Sequence, residues 1–307
     1  MRYIGKGVTV VLAVLIIAVL IPVITAVSAP PSDNVLEVVF IDGQSNGAYS
    51  NVAGSVDISL VNSELSEPAT NLFYFGTSVP TSGYASVNDC AIHPMYVDGE
   101  YTIGGLDAPL AYYLSEKTEK DVLVINISIS AQSITNLVPG STGGDWGISV
   151  VDKALSMITG YDSIKMVGWF WLQGESDKNM SVSTYENYFL KLDRYFNSIK
   201  AYDCYIIPVR ESVGGNAHIA QINLINSYRT IHDATEIQND FTLENGLLLD
   251  NLHYSQEARI LLMEASVNSM NFNEVNPYNY VILGIIPILI IAIPIVLIAR
   301  FIGGDLE

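Results

Sequence analysis

Residues 35–47 read Val-Leu-Glu-Val-Val-Phe-Ile-Asp-Gly-Gln-Ser-Asn-Gly, and this stretch decides the fold. Val35–Ile41 is an almost continuous apolar run, which is typical of a strand that is covered on both faces of a parallel sheet. The run breaks at Gly43, and Ser45 follows two residues later. Because ligands bind beyond the carboxyl ends of such strands, the stretch predicts a buried strand with a serine hydroxyl at the edge of its sheet.

The rest of the chain alternates between strand-like and helical patterns. Apolar runs rich in β-branched residues recur at Val122–Ile129, Ile164–Leu172 and Cys204–Val209, with a short run at Leu247–Leu249. Helical patterns occur at Leu106–Lys117, Ile148–Ile158, Tyr185–Ile199, Ile219–Ile231 and Ser255–Met270. This alternation predicts a three-layer α/β/α fold with a central, mainly parallel sheet of about five strands. We interpret the loop-rich stretch Val52–Gly105 as an insertion in this domain.

Both ends of the chain are apolar enough to enter a lipid bilayer. No charged residue occurs between Lys6 and Asp33, and a second charge-free window runs from Val275 to Ala299. Each window exceeds the roughly 20 helical residues that cross a hydrocarbon core of about 30 Å. Residues 280–300 are therefore predicted to form a C-terminal transmembrane helix. Residues 1–29 are interpreted as either a cleaved signal peptide or an uncleaved membrane anchor.

The basic residues predict the topology of these segments. Arg2, Lys6 and Arg300 lie on the outer flanks of the two apolar windows, and the inner flanks carry no Lys or Arg nearby. The positive-inside bias then places residues 30–279 outside the cytoplasm. We therefore expect a membrane-anchored protein with an extracytoplasmic domain at 30–272, a tether at 273–279 and a cytoplasmic tail at 301–307.

The charge of the chain argues against one class of partner. The sequence has 14 basic and 32 acidic residues, for a net charge of −18, and such a surface repels nucleic acid. His93, His218 and His232 show no metal-ligand spacing, so neither a metal nor another cofactor is predicted. Cys90 and Cys204 fall in the part expected to be exported, where a disulfide would persist; two buried free thiols are the alternative.

Three polar motifs follow predicted strands and are expected to meet at one edge of the sheet. They are Gly43–Gly47, Gln173–Asp177 and Asp250–His253. Taken alone, the first also matches the Gly-x-Ser-x-Gly elbow of α/β-hydrolases. Two features argue against that fold: the serine follows the first strand, and the acid and the histidine are three residues apart. Together the motifs indicate a dispersed hydrolase site with a hydroxyl, an imidazole and a carboxylate.

The motif set resembles the SGNH (GDSL-like) hydrolase superfamily, in particular its sialate O-acetylesterase and acetyl xylan esterase branch. That branch carries Gly-Gln-Ser-Asn where this chain has Gly43–Asn46. It carries Gln-Gly-Glu-Ser-Asp where this chain has Gln173–Asp177, and Asp-x-x-His where this chain has Asp250–His253. The resemblance spans residues 36–268 and implies an α/β/α fold of the flavodoxin-like kind.

The resemblance also implies a role for each member of the site. Ser45 is the nucleophile, His253 is the general base that takes its proton, and Asp250 orients the imidazole. This agrees with the weakness of an unassisted serine hydroxyl as a nucleophile. The oxyanion donors would be the backbone N–H groups of Ser45 and Ala131 and the side-chain amide of Gln173, each worth about 3 kcal/mol.

Two questions stay open at this point. Glu175 competes with Asp250 for the third role, and the alternative is that Glu175 and Asp177 cap the next helix or accept backbone N–H groups near Ser45. In addition, residues 130–133 read Ser-Ala-Gln-Ser where the family usually has Gly-Gly-Thr-Ser. A backbone N–H survives the loss of glycine, but a dihedral that only glycine adopts would not.

Contacts with substrate are expected from the same neighbourhood. The candidates for binding it are Gln44, Asn46, Gln132 and Arg210. A structural ion pair is the alternative for Arg210, and a local bond within its own turn is expected for Asn46. Trp146, Trp171 and Tyr74 either line a sugar pocket or pack in the core.

The resemblance implies a membrane-anchored serine esterase on the outer side of the membrane. It would remove O-acetyl or similar short acyl groups from a glycan through an acyl-enzyme, with the bilayer as the partner of its terminal helices. One alternative is a carbohydrate-binding surface protein with weakened catalysis, suggested by residues 130–133. Another keeps the esterase chemistry but takes lipid or other acyl esters.

Overall fold

The computed structural model describes residues 34–48, 52–77, 84–270, 272 and 280–282. Within those ranges no helix combines the length and the apolar character that a membrane crossing needs. The segments predicted at 1–29, 273–279 and 301–307 lie outside the described residues, as do positions 283–300 of the predicted transmembrane helix.

Strands and helices alternate along the described chain. The strands are β1 (Val35–Gly43), β2 (Leu72–Gly76), β3 (Ala91–Pro94), β4 (Tyr96–Val97), β5 (Glu100–Tyr101), β6 (Asp121–Asn126), β7 (Ser163–Leu172), β8 (Cys204–Ile206), β9 (Ile231–Asp233) and β10 (Tyr280–Ile282). The helices are α1 (Ile58–Glu64), α2 (Asp107–Thr118), α3 (Thr142–Met157), α4 (Val182–Ser198), α5 (Glu211–Gly214), α6 (Asn216–Ser227) and α7 (Gln256–Ser269). The predicted α/β class is confirmed.

One central sheet runs in the order β3-β2-β6-β1-β7-β8-β9. Its neighbours are parallel except for β2 and β3, and β10 adds an antiparallel pairing to β7. The five strands β6-β1-β7-β8-β9 have the 2-1-3-4-5 order of flavodoxin-like sheets. The chain reverses its direction of winding on either side of β1, so the carboxyl end of β1 is the place where a ligand site is expected.

The core consists of two apolar layers, one on each face of the sheet. Along β1, Val38 and Phe40 belong to the layer under α3, α4 and α6, whereas Val39 and Ile41 belong to the layer under α1, α2 and α7. These four side chains are fully buried, and burial of each stabilises the fold by about 1.5–3 kcal/mol. The near-continuous apolar run therefore exists because both faces are covered.

Three expectations about the elements differ from the structure. The fifth strand of the flavodoxin-like order is β9, not Leu247–Leu249, where Leu248 forms only an isolated bridge with Tyr254. Ile231 was expected to end a helix, but α6 ends at Ser227 because Tyr228 is extended and the chain then pairs with β8. The stretch Val52–Gly105 is more than an insertion of loops, since β2 and β3 widen the sheet.

The two ends of the described domain lie at the same edge of the sheet. Val35 and Ile282 both pair with Ser163, at the amino end of β7. Gly43, eight residues further along β1, lies at the opposite edge. Tyr280–Ile282 is a strand, so the predicted transmembrane helix does not begin at residue 280.

Cys90 and Cys204 are free thiols, and both are buried. Cys90 immediately precedes β3 and Cys204 opens β8, five strand positions away in the sheet order. At about 4.8 Å between neighbouring strands this is roughly 24 Å, far beyond the ~7 Å limit for a disulfide. The disulfide alternative is therefore excluded.

Candidate active site

The turn that carries Ser45 is fixed to the end of the neighbouring strand. Gly43 has φ +148°, and a Cβ there would lie 2.1 Å from the carbonyl oxygen of Leu172, so only glycine fits. The N–H of Gln44 donates to that same oxygen at 2.9 Å. The N–H groups of Gly47 and Ala48 then donate to the Gln44 carbonyl at 2.9 and 2.8 Å, which closes a single helical turn around Ser45.

The loop that carries His253 is held by its own aspartate. Oδ1 of Asp250 accepts the N–H groups of Leu252 and His253, both at 2.7 Å, while Oδ2 lies 2.8 Å from Nδ1 of the imidazole. Helix α7 starts directly afterwards, because Ser255 accepts the N–H of Ala258 as its N-cap at 3.2 Å. The loop therefore presents the imidazole in one orientation.

The same contacts keep Asp250 charged. Partial burial raises the pKa of its carboxyl, but the hydrogen bonds from His253 and from the N–H of Leu252 outweigh this effect and bring the pKa below its usual value. A carboxylate on Nδ1 stabilises the tautomer that leaves Nε2 free to accept a proton. This is the state that a general base needs.

Asn46 joins the serine turn to the histidine loop. Its Nδ2 donates to the carbonyl of Leu252 at 3.0 Å, and its Oδ1 accepts the N–H of Tyr254 at 3.1 Å. The residue next to Ser45 is thus bonded to both neighbours of His253. Asn46 is buried, and the local bonding expected for it is wrong, because it connects separate loops.

Glu175 lies on the loop that follows β7, which is the third loop at this edge of the sheet. Its Oε1 accepts Nδ2 of Asn46 at 2.8 Å, and no described residue hydrogen-bonds its buried Oε2. Burial raises the pKa of Glu175, opposed by the Asn46 amide and by the charges of His253 and Arg210. Asp250 contacts Nδ1 of the imidazole, whereas the hydrogen bond of Glu175 goes to Asn46, so of the two candidates for the third role the hydrogen bonding favours Asp250.

Arg210 holds the loop that carries His253. Its Nη2 donates to the carbonyl of Asn251, and its side chain is buried. The guanidinium therefore connects the loop after β8 with the Asp250 loop, and its charge also acts on Glu175. Substrate binding by Arg210 stays a prediction.

Asp177 organises the loop that follows β6. Its carboxylate accepts Oγ of Ser133 at 2.6 Å and the N–H of Ile134 at 2.7 Å, and it also accepts Nε2 of Gln173. This matches the alternative in which Asp177 binds backbone N–H groups near the site. The Gln173 amide also contacts Oε1 of Gln44 and the carbonyl of Gln132, both at 3.3 Å.

These contacts change the expected oxyanion donors. Both amide hydrogens of Gln173 face protein acceptors, and the side chain is buried, so this amide holds the loops of the site together instead of facing a substrate. By contrast, no described residue accepts the N–H of Ser45 or of Ala131. Ala131 has φ +59°, the left-handed conformation that costs a non-glycine residue about 1–2 kcal/mol. The alanine therefore keeps the backbone shape that glycine would adopt more easily.

The remaining residues predicted from the sequence either pack against other side chains or line a cavity. Gln44 is buried against Gln173, and Trp171 is buried with its Nε1 donating to the Tyr185 hydroxyl at 3.0 Å. Gln132 is half-buried and accepts Nδ2 of Asn136 at 2.6 Å. Tyr74 and Trp146 line a small cavity beside the serine turn.

Sequence reasoning missed several residues around that turn. Nδ2 of Asn126 donates to the carbonyl of Gly47 and to Oδ2 of Asp107, both at 2.9 Å. Arg259, buried in α7, donates from Nη2 to the carbonyl of Ser45 at 3.4 Å. An arginine at a core position of a helix is the signal that points to such a contact, because buried charges need partners. The described residues hold no cluster of three or more metal-ligating side chains.

No family model matches this chain, and no curated protein does either. Solved structures do match. A protein of Arabidopsis thaliana is 18% identical, over 78% of this chain and 97% of that one, with a TM-score of 0.50. A carbohydrate acetylesterase from Xanthomonas citri is 12% identical over 78% of this chain, with a TM-score of 0.51, and the match spans 58% of that enzyme. The chain shares their fold. At these identities the likeness concerns architecture alone, so any catalytic assignment depends on the site itself.

Proposed function

We propose that this chain is a serine esterase of the SGNH type that removes O-acetyl or similar short acyl groups from carbohydrate. The observation that carries the proposal is the imidazole of His253, held at Nδ1 by a charged Asp250 and joined through Asn46 to the turn of Ser45. A hydroxyl, a base and an orienting carboxylate are the parts that acyl transfer needs.

The proposed reaction has two halves. Ser45 Oγ attacks the carbonyl carbon of the ester while Nε2 of His253 takes the hydroxyl proton. The N–H groups of Ser45 and Ala131 donate to the tetrahedral oxyanion, which collapses as the alcohol leaves with the proton from His253. Water then attacks the acyl-enzyme with His253 as base, and the carboxylic acid leaves as Ser45 regains its proton.

Carbohydrate is proposed as the substrate class on two grounds. The enzyme from Xanthomonas citri that shares the fold is a carbohydrate acetylesterase. The three motifs also match the carbohydrate-acting branch named from the sequence. We further propose that the apolar ends anchor the protein, with the catalytic domain on the extracytoplasmic side.

Replacement of the nucleophile tests the assignment. In the purified full chain, Ser45→Ala should lower kcat/KM for p-nitrophenyl acetate by at least about 1,000-fold, as expected for loss of a nucleophile. The matched control is Ser176→Ala, because Ser176 is exposed and lies in the second motif. Turnover in Ser45→Ala equal to that of the control would refute the assignment.

A carbohydrate-binding protein without catalysis is the second candidate. It is favoured by the engagement of both Gln173 amide hydrogens and by the left-handed Ala131. A fluorophosphonate probe separates the two functions, because it labels only an activated serine. Rapid labelling that disappears in Ser45→Ala supports the esterase. Sugar binding without labelling supports the second candidate, and acyl-chain-length profiling separates carbohydrate acetyl esters from lipid esters.

A further inference from the structure

A cavity of about 50 Å³ opens beside the serine turn. Ala48, Asn126 and Ser128 line it next to the turn, and Asp107, Tyr74 and Trp146 are among the other described residues in its wall. One water molecule needs roughly 10–15 Å³ by this measure. The space therefore suits a substituent of a few non-hydrogen atoms.

Ser128 has an unsatisfied hydroxyl in this wall. The residue is 6% exposed, and no described residue hydrogen-bonds its Oγ. A Cβ on Gly47 would come within 2.6 Å of that oxygen, so the hydroxyl lies directly against the turn that carries Ser45. A buried polar group without a partner is unfavourable, and a polar ligand would remove that penalty.

Asp107 supplies a second polar group to the same space. It is 3% exposed, and its Oδ2 accepts Nδ2 of Asn126 at 2.9 Å. The same Nδ2 donates to the carbonyl of Gly47, so one amide connects the carboxyl with the serine turn. Burial raises the pKa of Asp107 to about 7, which lets the carboxyl donate a hydrogen bond as well as accept one near neutral pH.

Aromatic side chains form part of the wall. Tyr74 is buried, and Trp146 is half-buried with Tyr84 edge-on to it at 5.6 Å between ring centroids. Nε1 of Trp146 donates to the carbonyl of Ala85 at 2.9 Å, which fixes the indole plane. Apolar walls with a few convergent polar groups are typical of small-molecule sites.

We propose that this cavity is the subsite for the alcohol part of the substrate, where Ser128 Oγ and the Asp107 carboxyl bind one hydroxyl or hydroxymethyl group of a sugar. The inference rests on the proposed function and names its substrate more closely. An acyl methyl group in this space would leave the Ser128 hydroxyl without a partner, which argues for a hydroxyl. The substrate class is then an O-acylated sugar with a free hydroxyl near the ester.

The first test removes the Ser128 hydroxyl in the full chain. Because that hydroxyl has no partner in the described structure, Ser128→Ala should fold like the wild type. We expect kcat/KM for mono-O-acetylated methyl hexosides to fall roughly tenfold, as for one lost hydrogen bond to the substrate, with p-nitrophenyl acetate unchanged within about twofold. An equal fall for both substrates, or no fall for either, would overturn the proposal.

Ser266→Ala is the matched control. Ser266 in α7 is also fully buried, and within the described chain its hydroxyl has no partner, but it does not line the cavity. This variant should leave both substrates unchanged.

A binding measurement keeps the subsite separate from catalysis. The chain has three tryptophans, and Trp169 and Trp171 are fully buried, so Trp146 is the one that a sugar in the cavity contacts. Titration of the Ser45→Ala protein with mono-O-acetylated methyl hexosides should change its tryptophan fluorescence, and Ser128→Ala in that background should weaken the response roughly tenfold. A wild type that hydrolyses no ester but shows this response disproves the proposed function and keeps the subsite. The absence of any saturable response disproves the subsite.

Discussion

Asp250 and Glu175 both interact with His253, but their two loops shift the pKa of the carboxyl in opposite directions. Asp250 is about half exposed, and it accepts three hydrogen bonds from its own loop, so its pKa lies below the usual value. Glu175 follows β7 and accepts one bond from Asn46, with the other oxygen unpartnered in the described structure, and burial raises its pKa. Local hydrogen bonds and burial, more than nearness to the histidine, decide in which direction the pKa of each acid moves.

The largest effect is expected from Asp250. Asp250→Asn keeps the shape but favours the wrong tautomer of His253, so kcat for p-nitrophenyl acetate should fall by about 1,000-fold or more. Circular dichroism would confirm that the fold is kept. A fall of less than tenfold would mean that Glu175 takes over the third role, and the contrast between the two acids would then be lost.

A much smaller effect is expected from Glu175. Glu175→Gln keeps an acceptor for the Asn46 amide and removes a carboxyl that makes no hydrogen bond to the imidazole, so kcat should fall by less than about tenfold. The comparison with Asp250→Asn under identical conditions measures the difference between the loops directly. Equal losses in the two variants would show that both acids act on His253 as a unit.

Arg210 interacts with both the Asp250 loop and Glu175. Its guanidinium holds the carbonyl of Asn251, and its charge opposes the rise in the pKa of Glu175 that burial causes. Arg210→Lys keeps the charge but loses the fixed planar donor, so kcat/KM should fall about threefold. Arg210→Met removes both the charge and the donor, so kcat/KM should fall further. If the two variants behave alike, the hydrogen bond accounts for the whole effect.

The smallest effect concerns the pH dependence of stability. The carboxylate of Asp250, with a lowered pKa, stabilises the fold above its ordinary value of 3.8, and this contribution disappears as the pH falls through its folded pKa. Glu175 behaves in the opposite way: its contribution is complete below 4.5 and is lost as the pH rises through the raised pKa. The free energy of unfolding in urea should therefore rise for Glu175→Gln relative to the wild type as the pH is raised from 4 to 8. For Asp250→Asn the difference from the wild type should stay constant over that range. A parallel change in both variants would contradict the assigned pKa directions.

Long, strongly patterned elements were predictable from the sequence. Val35–Gly43 and Ser163–Leu172 are strands with the expected two-sided burial, and α4 and α7 begin after the N-cap residues Ser181 and Ser255. The short strand Ile231–Asp233 was missed because three residues carry no periodicity that separates a strand from a helix end.

The motif loops were predictable for a similar reason, since each follows a strand of one parallel sheet. Their connections were not. Asn46 bonds with residues more than 200 positions away, and the Asn126 amide reaches both Gly47 and Asp107. Such contacts depend on the three-dimensional meeting of loops, which no local pattern encodes. The left-handed φ of Ala131 is of the same kind, because an alanine gives no local signal for that conformation.

The shared edge at which β1 begins and β10 ends gives the domain a polarity. Asn34 is the first described residue after the N-terminal apolar window, and Ile282 is the last described residue, within the C-terminal window. The Ser45 turn lies one strand length away, roughly 26 Å at about 3.3 Å per residue. The described chain therefore enters and leaves the domain at the end of the sheet opposite the Ser45 turn.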